Sequence, residues 1–369
     1  MPFRSKSEQP RRHVLLACWY YDRDHHVGVA RYAAEAGWVL EDTSSQVRAL
    51  PQQWSGDGII SFHGRSEEYI RFLKNESKRV PVVDIGEYGH LTDFPRVRTD
   101  AVAIASMAVD YFAARGFRNV GFIDSAQQQR RRDAMQQSAD RAGLEFRLLS
   151  LNDLGKQAGK LPLPIGLTAA TDGIAVQAMF AFEAANILVP EQVAVLGIDN
   201  DLCRCLPAPV MLSSIDTNRE QLGYEAAAML DRLMQGKPAP DRPLEVPPVG
   251  IVERESTNIL AVDDLEVATA LRFIFQNYHR AIGVTDVGDR ANISLRRLQT
   301  RFQEKIGKTI LDVLNARRVE HAQKMLAQTN LKIRQIAIDS GFGDVTRFIR
   351  AFRRYTGESP RQCRRQAGK

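Results

Sequence analysis

The sequence predicts a doubly wound α/β domain followed by an all-α domain built from two similar helix pairs. Three observations carry this. Short apolar runs alternate with amphipathic segments from Arg12 to about Val252. A break then runs through Gly236–Pro248, with Pro238, Pro240, Pro243, Pro247 and Pro248, and reads as extended or loop-like. Beyond Asp264 the pattern is purely helical.

The candidate strands are His13–Cys18, Gly58–Phe62, Val80–Ile85, Asn119–Asp124, Gly166–Thr171 and Val193–Asp199. Each is short, rich in Val and Ile, and ends near a polar residue, as strands buried on both faces of a parallel sheet do. Between them, Ala101–Arg115 places Ile104, Met107, Ala108 and Tyr111 at helical spacing, and Gly116 stops it. Arg131–Ala142, Gly173–Ala185 and Leu222–Met234 are further helices. In such sheets ligands bind beyond the carboxyl ends of the strands.

In the C-terminal part, 284–302 and 333–355 share one design: a short amphipathic helix, a turn, and a second helix with a basic face. Asn292 and Gly341 are the expected left-handed turn residues. Ser294 and Asp344 are the expected N-caps. Leu295, Leu298 and Phe302 form the apolar face of the first basic helix, opposite Arg297 and Arg301. Phe348, Phe352 and Tyr355 do so in the second, where Arg347, Arg350 and Arg354 make a stripe. A helix anchored by aromatics and presenting arginines fits the major groove of double-stranded DNA. A solvated basic face is the alternative for one such helix; two, each behind a helix and a tight turn, favour helix-turn-helix units. The candidate contacts are Ser294, Arg296, Arg297, Thr300, Arg301, Asp344, Thr346, Arg347, Arg350, Arg353 and Arg354.

The 369 residues are 44% hydrophobic and 25% charged, with net charge +6, which excludes a disordered or fibrous chain. The charge is concentrated: 347–365 holds seven arginines against one acid, Glu358. Cys18, Cys203, Cys205 and Cys363 show no C-x-x-C or histidine spacing, so no metal and no cofactor are expected. The polar, basic N-terminus and the lack of a long apolar segment predict a cytoplasmic protein with no membrane partner. No nucleophile elbow, P-loop or G-x-G-x-x-G occurs, so no catalytic residues are expected.

The stretch 263–365 resembles the AraC family DNA-binding domain through Ala322-x-x-x-Leu326, Ile333, Ile336-Ala337, Gly341-Phe342, Phe348, Phe352-Arg353, Gly357 and Pro360. The resemblance implies two helix-turn-helix units joined by a long helix, about Ile310–Ala327. Gly288 and Arg347 depart from the family pattern, which bears on base preference. The region 12–255 is similar to the periplasmic-binding-protein-like sensor of the LacI family, through Thr99-Asp100, Arg115–Gly121, Val189–Asn200, Ser213-Ser214-Ile215 and Gly223-Tyr224-x-Ala226-Ala227. That implies two α/β lobes with a ligand cleft between them.

Sugars are held by carboxylates and arginines that replace lost water contacts. Position by position, the resemblance puts Asp22, Arg23, Arg131, Asp172, Asp199 and Asn200 at such a cleft. The alternatives are that Asp22 and Arg23 pair with each other and that Asp172 serves only as a helix cap; the register of Arg131 between Arg130 and Arg132 is open. Trp19 and Tyr20 are candidates for stacking on the sugar ring, with core packing the alternative. The combination implies a sugar-responsive transcription regulator, an activator or a repressor and more in keeping with an activator, responding to xylose or a related sugar. A homodimer on operator DNA, and contact with RNA polymerase, go with that reading. The rivals are a periplasmic-type sugar-binding protein or a sugar-modifying enzyme on the same scaffold.

Overall fold

The computed structural model describes residues 11–19, 21–42, 50–51, 54–62, 66–86, 93–124 and 128–366. Strands β1 (His13–Cys18), β2 (Val39–Asp42), β3 (Gly58–Phe62), β4 (Val82–Ile85), β5 (Arg96–Thr99) and β11 (Leu244–Val246) form one parallel sheet, ordered β11-β5-β4-β3-β1-β2. Strands β6 (Asn119–Asp124), β7 (Glu145–Ser150), β8 (Ile165–Ala169), β9 (Val193–Ile198), β10 (Ser213–Asp216) and β12 (Gly250–Val252) form the other, ordered β12-β10-β9-β8-β6-β7, with β12 antiparallel to β10. The helices of this part are α1 (Arg23–Ala36), α2 (Glu67–Glu76), α3 (Ala101–Ala113), α4 (Gln129–Ala142), α5 (Leu154–Gln157), α6 (Asp172–Ala184), α7 (Leu202–Cys205) and α8 (Arg219–Met234).

Each sheet is the middle of one lobe. The chain passes to the second lobe after β5, returns after β10 as α8, and crosses again between β11 and β12. The ends of the predicted strands shift for local reasons. β4 begins after Pro81, which has no N–H to give the ladder. β8 stops before Thr171, whose side chain caps α6 by accepting from the Ile174 N–H. β9 stops before Asp199, which has φ +109°. The proline-rich segment is not all loop, because Leu244–Val246 adds to the edge of the first sheet. Strands such as β5 and β10 escaped prediction because they read Arg-Val-Arg-Thr and Ser-Ser-Ile-Asp: their polar residues pair internally, as Arg96 does with Asp84 at 2.8 Å.

Seven further helices follow: α9 (Leu265–Asn277), α10 (Val284–Gly288), α11 (Leu295–Ile306), α12 (Ile310–Gln328), α13 (Ile333–Asp339), α14 (Val345–Thr356) and α15 (Pro360–Gln366). The core of the second lobe (Phe112, Phe117, Phe122, Phe182) runs without a break through Ile259 and Val262 into Leu271 and Ile274 of α9, Leu298 and Phe302 of α11 and Leu314 of α12. The second pair has its own core, with Val319, Ala322, Leu326, Ile336, Ala337, Phe348 and Phe352. Helix α12 therefore contributes its first half to one core and its second half to the other.

Arg318, at the middle of α12, is buried. It donates from Nε to the Tyr278 carbonyl at 2.8 Å, and from Nη2 to those of Arg280 and Ile282 at 2.8 and 2.9 Å. Burial lowers its pKa to about 10, so it stays charged at neutral pH. Arg318→Met keeps the volume but strands these carbonyls. It is expected to cost about 3 kcal/mol, read as a lowered thermal transition of the full chain.

Candidate ligand cleft and nucleic-acid interface

Between the lobes lies a cleft of about 420 Å³ whose lining comes from the carboxyl ends of strands in both sheets. Asp22 caps α1, its Oδ1 accepting from the N–H groups of Asp24 and His25 at 3.0 and 3.1 Å. Its Oδ2 accepts from Arg219 Nη1 at 2.8 Å, and Arg219 Nη2 reaches Asp24 at 2.8 Å. Asp22 thus pairs with Arg219 rather than with Arg23. Arg23 is exposed and does not line the cleft, because the first turn of α1 turns it to solvent.

Arg131 is buried and enters the cleft from α4. Its Nη1 donates to the Ala170 carbonyl at 2.7 Å and its Nη2 to Thr99 Oγ1 at 3.3 Å, while Nε has no partner among the described residues. Asp172 is not the cap of α6, since Thr171 is. Its carboxylate accepts from Ser214 Oγ at 2.6 Å and from the Asp201 N–H at 2.7 Å. Gly197 permits this: a Cβ there would stand 2.1 Å from Asp172 Oδ1.

Asp199 lies in the field of Arg131 and Arg219; burial raises its pKa, and both arginines oppose the rise. It receives one weak hydrogen bond, from Thr217 Oγ1 at 3.4 Å, which leaves acceptor capacity facing the cleft. Its φ of +109° is a costly conformation for a residue with a side chain, of the kind that concentrates at functional sites. Asn200 does not line the cleft. Its side chain donates to Asp216 at 3.3 Å and accepts from Arg254 at 2.8 Å, so it braces the end of β9.

The cleft also holds groups that sequence reasoning missed: Tyr21, His25, Thr217 and Arg219. His25 is buried against Phe62, with ring centroids 5.1 Å apart, and burial lowers its pKa despite Asp22. Thr217 and Arg219 follow β10. The strand-end rule that found Asp172 and Asp199 would have found them, had Ser213–Asp216 read as a strand. Trp19 packs edge-on against Tyr69 at 5.6 Å and does not line the cleft. Tyr20 lies outside the described residues. A larger groove, about 630 Å³, is mostly apolar and lies between α8 and Pro238–Glu245, sharing Arg98 with the cleft but none of its carboxylates.

Burial and then the charge of Asp199 raise the Asp172 pKa from 3.8 to about 7. The folded chain therefore holds this proton more tightly than the unfolded one. The associated stability is present at low pH and is lost as pH rises through about 7. Asp172→Asn should be nearly neutral near pH 4 and stabilising by up to roughly 4 kcal/mol at pH 8, in thermal melts across pH. A constant offset between the two curves would contradict this origin.

The two helix pairs in the C-terminal part present a different chemistry. Helices α10 and α11 form one unit and α13 and α14 the other. Ser294 Oγ accepts from the Arg297 N–H at 3.4 Å and Asp344 Oδ1 from the Arg347 N–H at 2.7 Å, so both act as N-caps. Gly341 makes the second turn at φ +82°, where a Cβ would stand 2.0 Å from the Tyr278 carbonyl oxygen. Asn292 is not left-handed; the longer turn 289–294 reverses direction without such a residue.

Arg296, Arg297 and Thr300 on α11, and Thr346, Arg347, Arg350 and Arg353 on α14, are exposed. Among the described residues no carboxylate pairs with these arginines. Two expected contacts are committed elsewhere. Arg301 binds Asp264 and Glu266 of the α9 end at 3.2 and 3.0 Å, and Arg354 binds Asp312 at 3.0 Å. Tyr355 adds a hydrogen bond to Asp312 Oδ1 at 3.0 Å. These contacts fix α11 and α14 and leave their other arginines outward.

A two-lobed cleft joined to two arginine-bearing helix-turn-helix units defines a transcription regulator of the AraC type with a LacI-like, periplasmic-binding-protein-like sensor. Residues 109–257 match the periplasmic binding protein-like domain, and residues 287–366 match a helix-turn-helix domain. The chain is 29% identical to the xylose operon regulatory protein of Escherichia coli, over 93% of this chain and 94% of that one. It is 26% identical to the same-named protein of Haemophilus influenzae, over 93% and 95%. A solved xylose-binding transcription activator, xylR, superimposes with a TM-score of 0.68 at 25% identity, covering 96% of this chain and 98% of that one. No helix among the described residues is long and apolar enough to cross a membrane.

Proposed function

We propose that this chain is a cytoplasmic, homodimeric activator of a carbohydrate-utilisation operon whose effector is xylose or a related sugar. Residues 12–255 sense the sugar and residues 263–365 bind operator DNA. The observation that carries the reading is the convergence of Asp22, Asp172, Asp199, Arg131 and Arg219 on one cleft. All five side chains have protein partners, but Asp199 is held only by the weak bond from Thr217, and it and Arg131 Nε retain capacity for sugar hydroxyls. A ring carrying hydroxyls at several positions satisfies alternating acceptors and donors of this kind. The similarity to xylose operon regulators along nearly the whole chain supports the choice of sugar.

On the DNA side, α11 and α14 are the reading helices, with Arg296, Arg297, Thr300, Thr346, Arg347, Arg350 and Arg353 at the duplex. Ser294 and Asp344 set the helix starts. Arg301 acts through the packing it secures, and Arg354, 70% exposed beside Asp312, also stays open to the duplex. No catalytic role is assigned to any residue. The test is a gel-shift on the neighbouring promoter with D-xylose titrated in, alongside calorimetry of D-xylose binding. Sugar-dependent binding is expected; binding to neither DNA nor sugar refutes the reading.

A further inference from the structure

One feature of the cleft rim lies outside both the proposed sugar contacts and the DNA-reading helices. Three consecutive arginines open α4, and they point to three different places. Arg131 enters the cleft, as described. Arg132 stays within its own lobe, 3.8 Å from Asp124 and 3.4 Å from Asp133. Arg130 reaches across to the other lobe, where its Nη2 donates to Glu245 Oε1 at 2.7 Å. Glu245 lies on β11, in the first sheet, and the same oxygen accepts from Arg98 Nε at 3.0 Å and Nη2 at 2.8 Å. Neither Arg130 nor Glu245 lines the cleft, whereas Arg98 does.

We propose that Arg130, Glu245 and Arg98 form a rim latch that holds the two lobes together before any ligand enters. Arg98 and Glu245 belong to one lobe and are adjacent across paired strands, so their bond survives any movement between lobes. The Arg130 bond spans the lobes and exists only when they are close. A contact made in the closed form alone shifts the population toward closure, and the apparent ligand affinity scales with that population. The side chains are about one-third exposed (33% for Arg130, 34% for Glu245), so the bond is partly screened and its weight is modest. Modest is the useful range: a stronger latch would close the cleft regardless of ligand.

The inference rests on the sugar-sensing reading of the cleft, but its test separates from it. Full-length wild type, Arg130→Gln, Glu245→Gln and the control Arg132→Gln are compared by small-angle scattering without ligand, and by D-xylose calorimetry at low and high NaCl. The first two variants should be more open without sugar and should match wild type at saturating D-xylose. They should bind it up to about fivefold more weakly, with the gap closing in high salt. Arg132→Gln should behave as wild type. Identical scattering and affinity in Arg130→Gln and wild type would overturn the latch. Absence of D-xylose binding to wild type would instead fail the sugar reading, and the ligand-free scattering would still decide the latch.

Discussion

Replacing Asp199 with alanine will abolish the sugar response and leave operator binding intact. The carboxylate is the cleft acceptor with the most unused capacity, and Arg131 and Arg219 lie in its field. Losing two charge-assisted hydrogen bonds to sugar hydroxyls costs about 3 kcal/mol, roughly a hundredfold in affinity. Asp199→Asn separates chemistry from backbone strain. Asparagine tolerates positive φ better than alanine, so the φ of +109° is less disturbed. It should lose less stability than Asp199→Ala while still losing most of the affinity. No residue of the helix-turn-helix units lines the cleft, so gel-shift affinity without sugar should be unchanged. A retained sugar response in Asp199→Ala would refute the site.

Arg350→Ala should weaken specific operator binding by about 1–3 kcal/mol. Arg350 is exposed on α14, while Phe348 and Phe352 of the same helix are fully buried and fix its orientation. Its loss removes a contact without disturbing the core. The salt series distinguishes the kind of contact: a phosphate contact lowers the slope of log affinity against log salt by about one, and a base contact relaxes specificity at one position. Arg301→Ala is the informative control. Its guanidinium is bound to Asp264 and Glu266, so its loss should lower stability more than it alters the salt slope. Equal operator affinity for Arg350→Ala and wild type would remove α14 from the interface.

What the sequence disclosed follows physical lines. Strands buried on both faces, such as β3 and β9, are continuous apolar runs and were legible. Strands with polar residues at the cleft or the sheet edge were not. The second helix-turn-helix unit was legible because Gly341 and Phe348 satisfy local needs, a turn and a core. The first unit's turn was misassigned because Asn292 is only permissive of a left-handed shape, not evidence for one. In the cleft, Asp172 and Asp199 are set by local chain direction and could be placed from their strands. Arg219 could not, because Ser213–Asp216 does not read as a strand; its pairing with Asp22 and Asp24, about two hundred residues away, arises only through the return of α8 to the first lobe. The opposite commitments of Arg130, Arg131 and Arg132 also need three dimensions, since their sequence is uniform.

The uninterrupted apolar core from the second lobe into α9–α12 gives the molecule a fixed frame of reference. A continuous close-packed core transmits displacement rather than bending within itself. The first helix-turn-helix unit is therefore expected to stay fixed relative to the second-lobe half of the cleft when the lobes move. The motion available to a sugar is that of the first lobe, pivoting on the strand-to-strand crossings. In the proposed dimer, an effector then acts as a surveyor rather than a sculptor: it alters the separation of two unchanged reading heads, and promoters differing only in half-site spacing become the sensitive measure of its action.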